Sequence, residues 1–365
     1  MTPSSRSRRF AGSPLLHLLS FAIAVSCCAA PLAAQTGFVS FDAPDASEGT
    51  YPIAINQGGA IAGYYFPSSG LPQGFVRSSS GVITEFSYSG GFDLFIAGIN
   101  EPGQIVGTIG FSRNVGGFLR NPNGSIIVIQ PFSAPDAEAK GINDSGQIVG
   151  YYSDESGVSH GFLRNTDGTY VSFDAPGAGT AENQGTIAVA INGSGMIMGY
   201  FADTNTVYHG FIRDVSGRFT EFSAPGAGTI AFRGTFPAAI NSSGEVVGYS
   251  FTNTRSYGLP FVRPPSGPVT SFVAPESVGA SCVSVTDNGE VVCEGARGSQ
   301  AQRGFGILRN PTGDLTFFSV PVPNLTMTPL AANNNLSVTG WYSDLSGGIH
   351  GFLEQMAATS GSERQ

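Results

Sequence analysis

A recurring phrase constrains this chain more than any other feature. Seven times an apolar stretch ends in Ile-Asn or a near variant, and a second apolar stretch begins after two residues and a Gly. Gly-Phe-Leu-Arg or a near variant follows each copy. The clearest copies begin at Ala54, Gly141 and Ala190. Self-similarity at a regular period is typical of a repeat protein, in which each unit buries its apolar side chains against the next.

The period of the repeat predicts the fold. Successive Gly-Phe motifs start 43 to 50 residues apart, enough for four strands of about five to seven residues with their turns. After the first 34 residues no window has the apolar spacing of a helix, because Gly or Pro interrupts each stretch. The sequence therefore predicts an all-β chain, a seven-bladed β-propeller over residues 35–355. The motifs start at Gly74, Gly117, Gly161, Gly210, Pro260, Gly306 and Gly351.

The turns predict two unlike rims. We name the four predicted strands of a repeat A to D in chain order, with strand A innermost. The A–B turns read Asn-x-x-Gly, as at Asn56, and the C–D turns are equally tight, as at Asn121. Because neighbouring strands are antiparallel, both tight turns lie at one rim, and the longer B–C and D–A connections lie at the other. The longer connections differ between repeats, so we call their rim the variable face and expect binding there.

The ends of the repeat array predict how the chain closes. The chain opens with a lone D-type strand from Gly37, and its last repeat ends after a C-type strand from His350. We expect the first strand to complete the last blade. This closure removes two sheet edges that could otherwise pair with other molecules.

The first 34 residues have the pattern of an export signal. Three arginines precede a short apolar run over residues 15–25, and small residues follow up to Ala34. The run is too short to span a membrane, and no later segment reaches the necessary length. Weaker matches to a twin-arginine signal and a lipoprotein signal rank below plain secretion. We expect a secreted or periplasmic protein starting near Gln35, with a short polar tail over residues 356–365.

Composition agrees with a β-rich chain and excludes one class of partner. Only 12% of the residues are charged, while 51 are Gly and 23 are Pro. The net charge is -9, and no cluster of Lys and Arg follows residue 9. Nucleic acid is therefore excluded as a partner, since binding it requires concentrated positive charge. We expect a monomer.

Two cysteines remain after the signal, Cys282 and Cys293, and both lie in one predicted hairpin of the sixth repeat. If the turn centres on Asp287 and Asn288, the two cysteines lie directly opposite each other, where a disulfide can join them. A register shifted by one residue would instead leave two buried thiols on opposite faces. Disulfides persist in an oxidising compartment. Both interpretations stay open.

No set of residues in the sequence has the pattern of a catalytic, metal or cofactor site. His160, His209 and His350 occupy one equivalent position before Gly-Phe, which favours a structural role repeated in each unit. Acidic residues are scattered, and no pair has the arrangement of a glycosidase. Calcium loops, nucleophile elbows and phosphate-binding glycine loops are not found. We therefore expect no enzyme activity, metal or cofactor.

Strand B repeatedly ends in Gly followed by two aromatic residues. Successive side chains point to opposite faces of a strand, so both rings can pack between blades. The alternative is a set of aromatic platforms near the variable face that stack on sugar rings or peptide side chains. Tyr65, Tyr152 and Tyr342 are the candidates for ligand stacking.

The phrases GINDSGQIVGYY from Gly141 and HGFLR from His160, with the loop APGAGT from Ala175, resemble the bacterial extracellular repeats called the HAF family. The resemblance covers about residues 37 to 354. It is weakest in the sixth repeat, where Thr286 replaces Asn and Cys293 replaces Gly. It implies export and repetition but brings no activity and no catalytic residues. Members often end in a membrane-anchored sorting tail, whereas the polar end of this chain favours release or periplasmic residence over anchoring.

Three functions fit these features. The first is an exported binding or surface-interaction module that recognises extracellular carbohydrate or protein through the variable face. The second is a polysaccharide lyase or glycoside hydrolase with carboxylates near the mouth of the central channel. The third is a structural component of an extracellular matrix. Converging carboxylates in a deep pocket would favour the enzyme, and an aromatic rim would favour binding.

Removing the first predicted strand tests the closure. A chain that starts after Pro44 should aggregate or melt at a much lower temperature, because the last blade then has an open edge. Thermal unfolding and light scattering, compared with a chain that starts at Gln35, measure the effect. An unchanged melting temperature would refute the closure.

Overall fold

The structure is a computed structural model. It describes residues 37–110, 116–134, 136–255, 257–275, 277–297, 303–321 and 325–357. The predicted export signal over residues 1–34 and most of the predicted polar tail lie outside the described residues.

Within these ranges the chain is built of β-strands, with one turn of 3-10 helix at Pro131–Ser133. The all-β prediction is confirmed. The strands in chain order are β1 Phe38–Phe41, β2 Ala46–Ile55, β3 Ile61–Pro67, β4 Gln73–Arg77, β5 Ile83–Phe86, β6 Leu94–Ile99, β7 Ile105–Ile109, β8 Gly116–Arg120, β9 Ile126–Ile129, β10 Ala137–Ile142, β11 Ile148–Ser153, β12 Ser159–Arg164, β13 Tyr170–Phe173, β14 Gly185–Ile191, β15 Ile197–Ala202, β16 Tyr208–Arg213, β17 Phe219–Phe222, β18 Gly234–Ile240, β19 Val246–Phe251, β20 Leu259–Arg263, β21 Thr270–Ser271, β22 Gly279–Val285, β23 Val291–Arg297, β24 Arg303–Arg309, β25 Leu315–Phe318, β26 Thr326–Ala332, β27 Ser337–Ser343 and β28 Ile349–Gln355.

Each sequence repeat forms antiparallel strands that pair in the order A, B, C, D. Repeats 1 to 6 comprise β2 to β5, β6 to β9, β10 to β13, β14 to β17, β18 to β21 and β22 to β25. Repeat 7 supplies β26, β27 and β28, and the N-terminal strand β1 pairs with β28. Phe38 lies opposite Glu354 and Phe41 opposite Gly351. The first strand therefore occupies the D position of the last repeat.

Repeats 3, 4 and 5 are joined into one continuous sheet, which the repeat pattern does not predict. The joints are short parallel bridges between Ser159 and Gly185 and between Tyr208 and Gly234. Both glycines have a positive φ, and a Cβ on Gly185 would lie 2.1 Å from the Ser159 carbonyl oxygen. Only glycine allows this approach.

Strand A of each repeat contacts strand A of the next, and β26 contacts β2. The A strands are thus the inner strands, and the hydrophobic core lies between successive repeats. The Phe of the Gly-Phe motif is fully buried in six repeats. These residues are Phe75, Phe118, Phe162, Phe211, Phe261 and Phe352.

The Arg of the Gly-Phe-x-Arg motif, or of its near variant, stacks on a ring at the preceding D strand in repeats 1, 2, 4, 5 and 6. Gly74 lies opposite Phe86 of strand D, and a Cβ there would lie 2.4 Å from the Phe86 ring. Glycine therefore lets the ring lie across strand C. The motif's Arg120, in repeat 2, stacks over the same Phe86 ring at 4.3 Å. Arg77 stacks over Phe41 in the same way, which attaches β1 to repeat 1.

Buried asparagines at the A–B turns form what we call the asparagine belt. The side-chain Oδ1 of Asn192 accepts hydrogen bonds from its own turn, and its Nδ2 donates to the carbonyl oxygen of Asn241 at 3.0 Å. The same hydrogen bond recurs between other repeats. The last one is donated by Asn333 Nδ2 of repeat 7 to the carbonyl oxygen of Asn56 of repeat 1 at 3.2 Å. Its members are Asn56, Asn100, Asn143, Asn192, Asn241 and Asn333.

We expect Asn192→Ala to lower the free energy of unfolding by about 1 to 3 kcal/mol, because the backbone NH of Met196 loses its partner and the carbonyl oxygen of Asn241 keeps only its bond from Gly244. Asn123→Ala is the matched control, since the hydrogen bonds of Asn123 to described residues all lie within its own exposed C–D turn. The control should cost less than about 1 kcal/mol. Urea unfolding measures both, and equal costs would show that the bond between repeats contributes nothing.

Candidate binding site on the variable face

Half-buried aromatic side chains line the inner strands, in a layer we call the aromatic belt. Tyr51 of strand A lies opposite Tyr64 of strand B, and their rings stack with centroids 5.0 Å apart. Tyr64 meets Phe95 of repeat 2, and Tyr51 meets Trp341 of repeat 7. The belt contains Tyr51, Tyr64, Phe95, Tyr151, Tyr200, Phe236, Tyr249 and Trp341.

The local sequence explains why the belt forms. Strand A has a register shift after Pro52, which brings the carbonyl oxygen of Tyr51 towards strand B. A Cβ on Gly63 would lie 2.3 Å from that oxygen. The glycine accommodates the carbonyl, and the next residue, Tyr64, is directed to the same side as Tyr51. The recurring Gly-aromatic phrase of strand B therefore places a ring in the belt in five repeats, whereas repeat 2 has Thr108 and repeat 6 has Glu294 at this position.

In repeat 3 the belt carries a charged cluster. Glu138 takes the strand A position, accepts a hydrogen bond from the Tyr151 hydroxyl at 2.6 Å and pairs with Lys140 at 2.6 Å. Burial, followed by the charge of Glu138, raises the pKa of Tyr151. Glu138 and Lys140 also line a cavity of about 290 Å³ together with Phe95. The cluster offers hydrogen-bonding groups without net charge.

In repeat 6 the belt position of strand B is Glu294. Its Oε1 accepts a hydrogen bond from the Thr328 hydroxyl at 3.2 Å. Burial raises the pKa of Glu294, and this hydrogen bond only partly opposes the shift. The carboxylates of Glu138 and Glu294 lie three repeats apart, each with its own partners. The belt thus has an aromatic surface with separate polar groups.

The three tyrosines proposed for ligand stacking lie one residue farther along strand B. Tyr65 is 2% exposed, and its hydroxyl donates to Gln73 at 3.2 Å, so its ring belongs to the core. Burial raises its pKa to about 12. Tyr152 and Tyr342 are half-buried, and their hydroxyls bond to Ser172 and Ser40 of strand D.

The sequence interpretation chose the second aromatic of each pair and missed the first. The missed residues, among them Tyr64, Tyr151 and Trp341, face the belt. An aromatic residue at the facing position of strand A, as at Tyr51 and Phe236, is the signal that could have identified them. Using that signal requires the pairing register of strands A and B, which depends on the β-bulge formed by the register shift after Pro52.

The histidines join B–C turns to the ends of D strands. His350 Nδ1 lies 3.0 Å from Asp42, and its Nε2 lies 3.3 Å from Asp344. Burial lowers the pKa of His350, but the hydrogen bonds to the two aspartates outweigh it, so the pKa is raised. His160 has the same arrangement with Asp174 and Asp154. These contacts agree with the structural role that repetition suggests.

Cys282 and Cys293 are fully buried and form a disulfide in the structure. They lie directly opposite each other on β22 and β23, as the first of the two interpretations predicts. The register differs from the predicted one beside the turn, where Val285 lies opposite Val291, and a register shift between Cys282 and Ser284 brings the cysteines opposite each other. Cys293 stands where other repeats have the strand B glycine.

Among the residues that the structure describes, no group of three His, Cys, Asp or Glu side chains is arranged to hold a metal ion. Nor does this part of the chain contain a helix long and apolar enough to cross a membrane.

Thiol titration tests the disulfide. The denatured, unreduced chain starting at Gln35 should contain no free thiol, and reduction should lower the free energy of unfolding by about 3 kcal/mol for a loop of this length. Two titratable thiols before reduction would exclude the bond. Cys282→Ser/Cys293→Ser serves as the control that reducing agent should not affect.

No protein-family model matches the sequence, and no curated protein matches it. The structure is similar to virginiamycin B lyase from Staphylococcus aureus, with a TM-score of 0.57 and 12% identity over 88% of this chain and 99% of the other. It is also similar to a chain of the Mitotic Checkpoint Complex, with a TM-score of 0.52 and 10% identity over 95% and 100%. The β-propeller domain of the Trilobed protease from Pyrococcus furiosus aligns at a TM-score of 0.43, with 9% identity over 86% of each chain. At these identities the likeness concerns the fold alone, which is that of a β-propeller.

Proposed function

We propose that this protein is an exported binding module that recognises extracellular carbohydrate through the aromatic belt and the adjoining variable face. The belt is the observation that carries the proposal. Its rings are half-buried, although a ring needed only for packing could be fully covered, as Phe75 is. Half-buried rings next to hydrogen-bonding groups suit a sugar, which has apolar ring faces and polar edges.

The polar groups of the belt fit the same ligand. Glu138 and Lys140 neutralise each other, and Thr328 bonds to Glu294, so the belt offers donors and acceptors spaced around it. Tyr152 and Tyr342 remain candidates for outer contacts with a longer sugar chain. A protein that binds no glycan in the test below would point to a protein partner instead.

The proposal includes a closed, seven-bladed ring. Three observations support the closure: β1 pairs with β28, Asn333 donates to Asn56, and β26 contacts β2. A closed ring would hold the belt residues of repeats 7 and 1 together, as the contact between Trp341 and Tyr51 requires. The HAF resemblance and the export signal make an extracellular ligand the natural target, and membership of that family is part of the proposal.

An enzyme that cleaves polysaccharide is the second candidate, and one observation favours it. Glu294 lies in the belt, burial raises its pKa, and a carboxyl with a raised pKa is better suited to act as a general acid. Chromatography of any bound polysaccharide after incubation separates the two functions. Polysaccharide that is shortened only when Glu294 is present indicates an enzyme, and intact polysaccharide indicates a binding module.

A glycan array with variants tests the binding proposal. Trp341→Leu and Tyr64→Leu should each weaken glycan binding at least tenfold, because they remove rings of the belt. Val215→Ala is the control, since Val215 is 72% exposed in a C–D turn at the opposite rim. Circular dichroism verifies that each variant is folded. A wild-type protein that binds no glycan, or belt variants that bind as tightly as wild type, would refute the proposal.

A further inference from the structure

We infer that a cavity beside the belt, between repeats 3 and 4, is a binding subsite for one uncharged sugar ring, with Phe232 as its stacking platform. This inference rests on the proposed function and locates the ligand. The cavity has a volume of about 280 Å³ and opens on the variable face. Tyr151 of the belt forms part of its wall, so the subsite is continuous with the belt.

The position of Phe232 is difficult to explain by folding alone. Its side chain is 63% exposed, and its backbone φ is 62°. This left-handed conformation is strained for a bulky residue and costs about 1 kcal/mol or more. A hydrogen bond from its backbone NH to the carbonyl oxygen of Thr206 at 2.8 Å holds it there. The loop therefore presents an apolar ring to solvent at the edge of the cavity.

A comparison with Phe132 sharpens this point. Phe132 is also exposed, at 55%, and also has a positive φ, of 54°. Its ring rests against Tyr152 and Tyr170, at 5.3 and 6.2 Å. Phe232 has no such aromatic contact within the described chain. The ring of Phe232 is thus available to a ligand.

The polar wall of the cavity also has unused hydrogen-bonding capacity. The side chains of Ser153, Ser159, Asn183 and Tyr208 line the cavity and make no hydrogen bond to other described residues. Each can donate and accept, which matches the hydroxyl groups of a sugar. A ring face on one side and hydroxyl-matching groups on the other are the two features that a sugar subsite needs.

The absence of charge in the wall indicates the class of ligand. Every residue that lines the cavity is uncharged at neutral pH. A uronic acid or sulfated sugar would lose water from its charged group without gaining an opposite charge. The subsite therefore favours neutral hexoses and N-acetylhexosamines over acidic sugars.

Glycine variants give a matched test, because glycine removes the ring and also relieves the strain of a positive φ. Phe232→Gly should keep or raise the melting temperature while weakening sugar binding at least tenfold. Phe132→Gly is the control and should leave sugar binding unchanged. Asn183→Ala should weaken binding by a smaller factor. Saturation-transfer NMR measures binding of the methyl glycosides of glucose, galactose, mannose and N-acetylglucosamine, with methyl glucuronide as the charged comparison.

The outcomes separate this inference from the proposed function. If the belt variants lose glycan binding but Phe232→Gly binds like wild type, the subsite is wrong and the proposed function stands. Tighter binding of methyl glucuronide than of methyl glucoside also overturns the subsite. If the wild-type protein binds none of the neutral glycosides and no glycan on the array, both proposals fail.

Discussion

The hydrogen bond from each turn asparagine to the next repeat is the interaction on which the arrangement depends. One side chain performs two tasks: Oδ1 closes the A–B turn of its own repeat, and Nδ2 holds the backbone of the following repeat. Because both tasks use one buried amide, the shape of the turn and the position of the neighbouring repeat are fixed together. The Gly-Phe-x-Arg motif does the same farther out, where Arg120 stacks on Phe86 of the preceding repeat.

The sixth repeat shows what happens where the amide is missing. Thr286 replaces Asn and has no side-chain NH to donate. Repeat 7 is held instead by Ser284, whose hydroxyl bonds to the backbone of Ala332. The bond between Asp287 and Asn334 has counterparts between other repeats, such as that from Glu101 to Asp144. The disulfide lies in the same repeat and replaces the strand B glycine. The weakest match to the repeat pattern thus coincides with a different set of stabilising contacts.

The features that recur along the chain could be predicted from the sequence, whereas the features that depend on the register of strand pairing could not. Turn chemistry and the period of the Gly-Phe motif were enough for the strand order and for the pairing of Phe38–Phe41 with the last strand. The parallel bridge at Gly185 was not predicted, since it depends on the close approach of two repeats. Tyr65 was selected over Tyr64 because the alternation of a strand gives two faces but does not say which one is covered. The bulge after Pro52 determines which of the two tyrosines faces the belt. The sequence of one repeat contains no pattern that identifies this bulge.

The separation of the two rims explains how such a chain can acquire a ligand site. Bonds between repeats at the asparagine rim constrain the A–B turns tightly, so those turns hardly vary. The D–A connections are held by other bonds, such as those from Phe232 to Thr206 and from Gly177 to Glu221, which do not involve the asparagine belt. Asn183 and Phe232 occupy equivalent places in successive connections, and both have a left-handed backbone. Asn adopts this conformation with less strain than Phe does. Phe232 thus combines a strained backbone with an exposed ring, and this combination is the observation on which the inferred subsite rests.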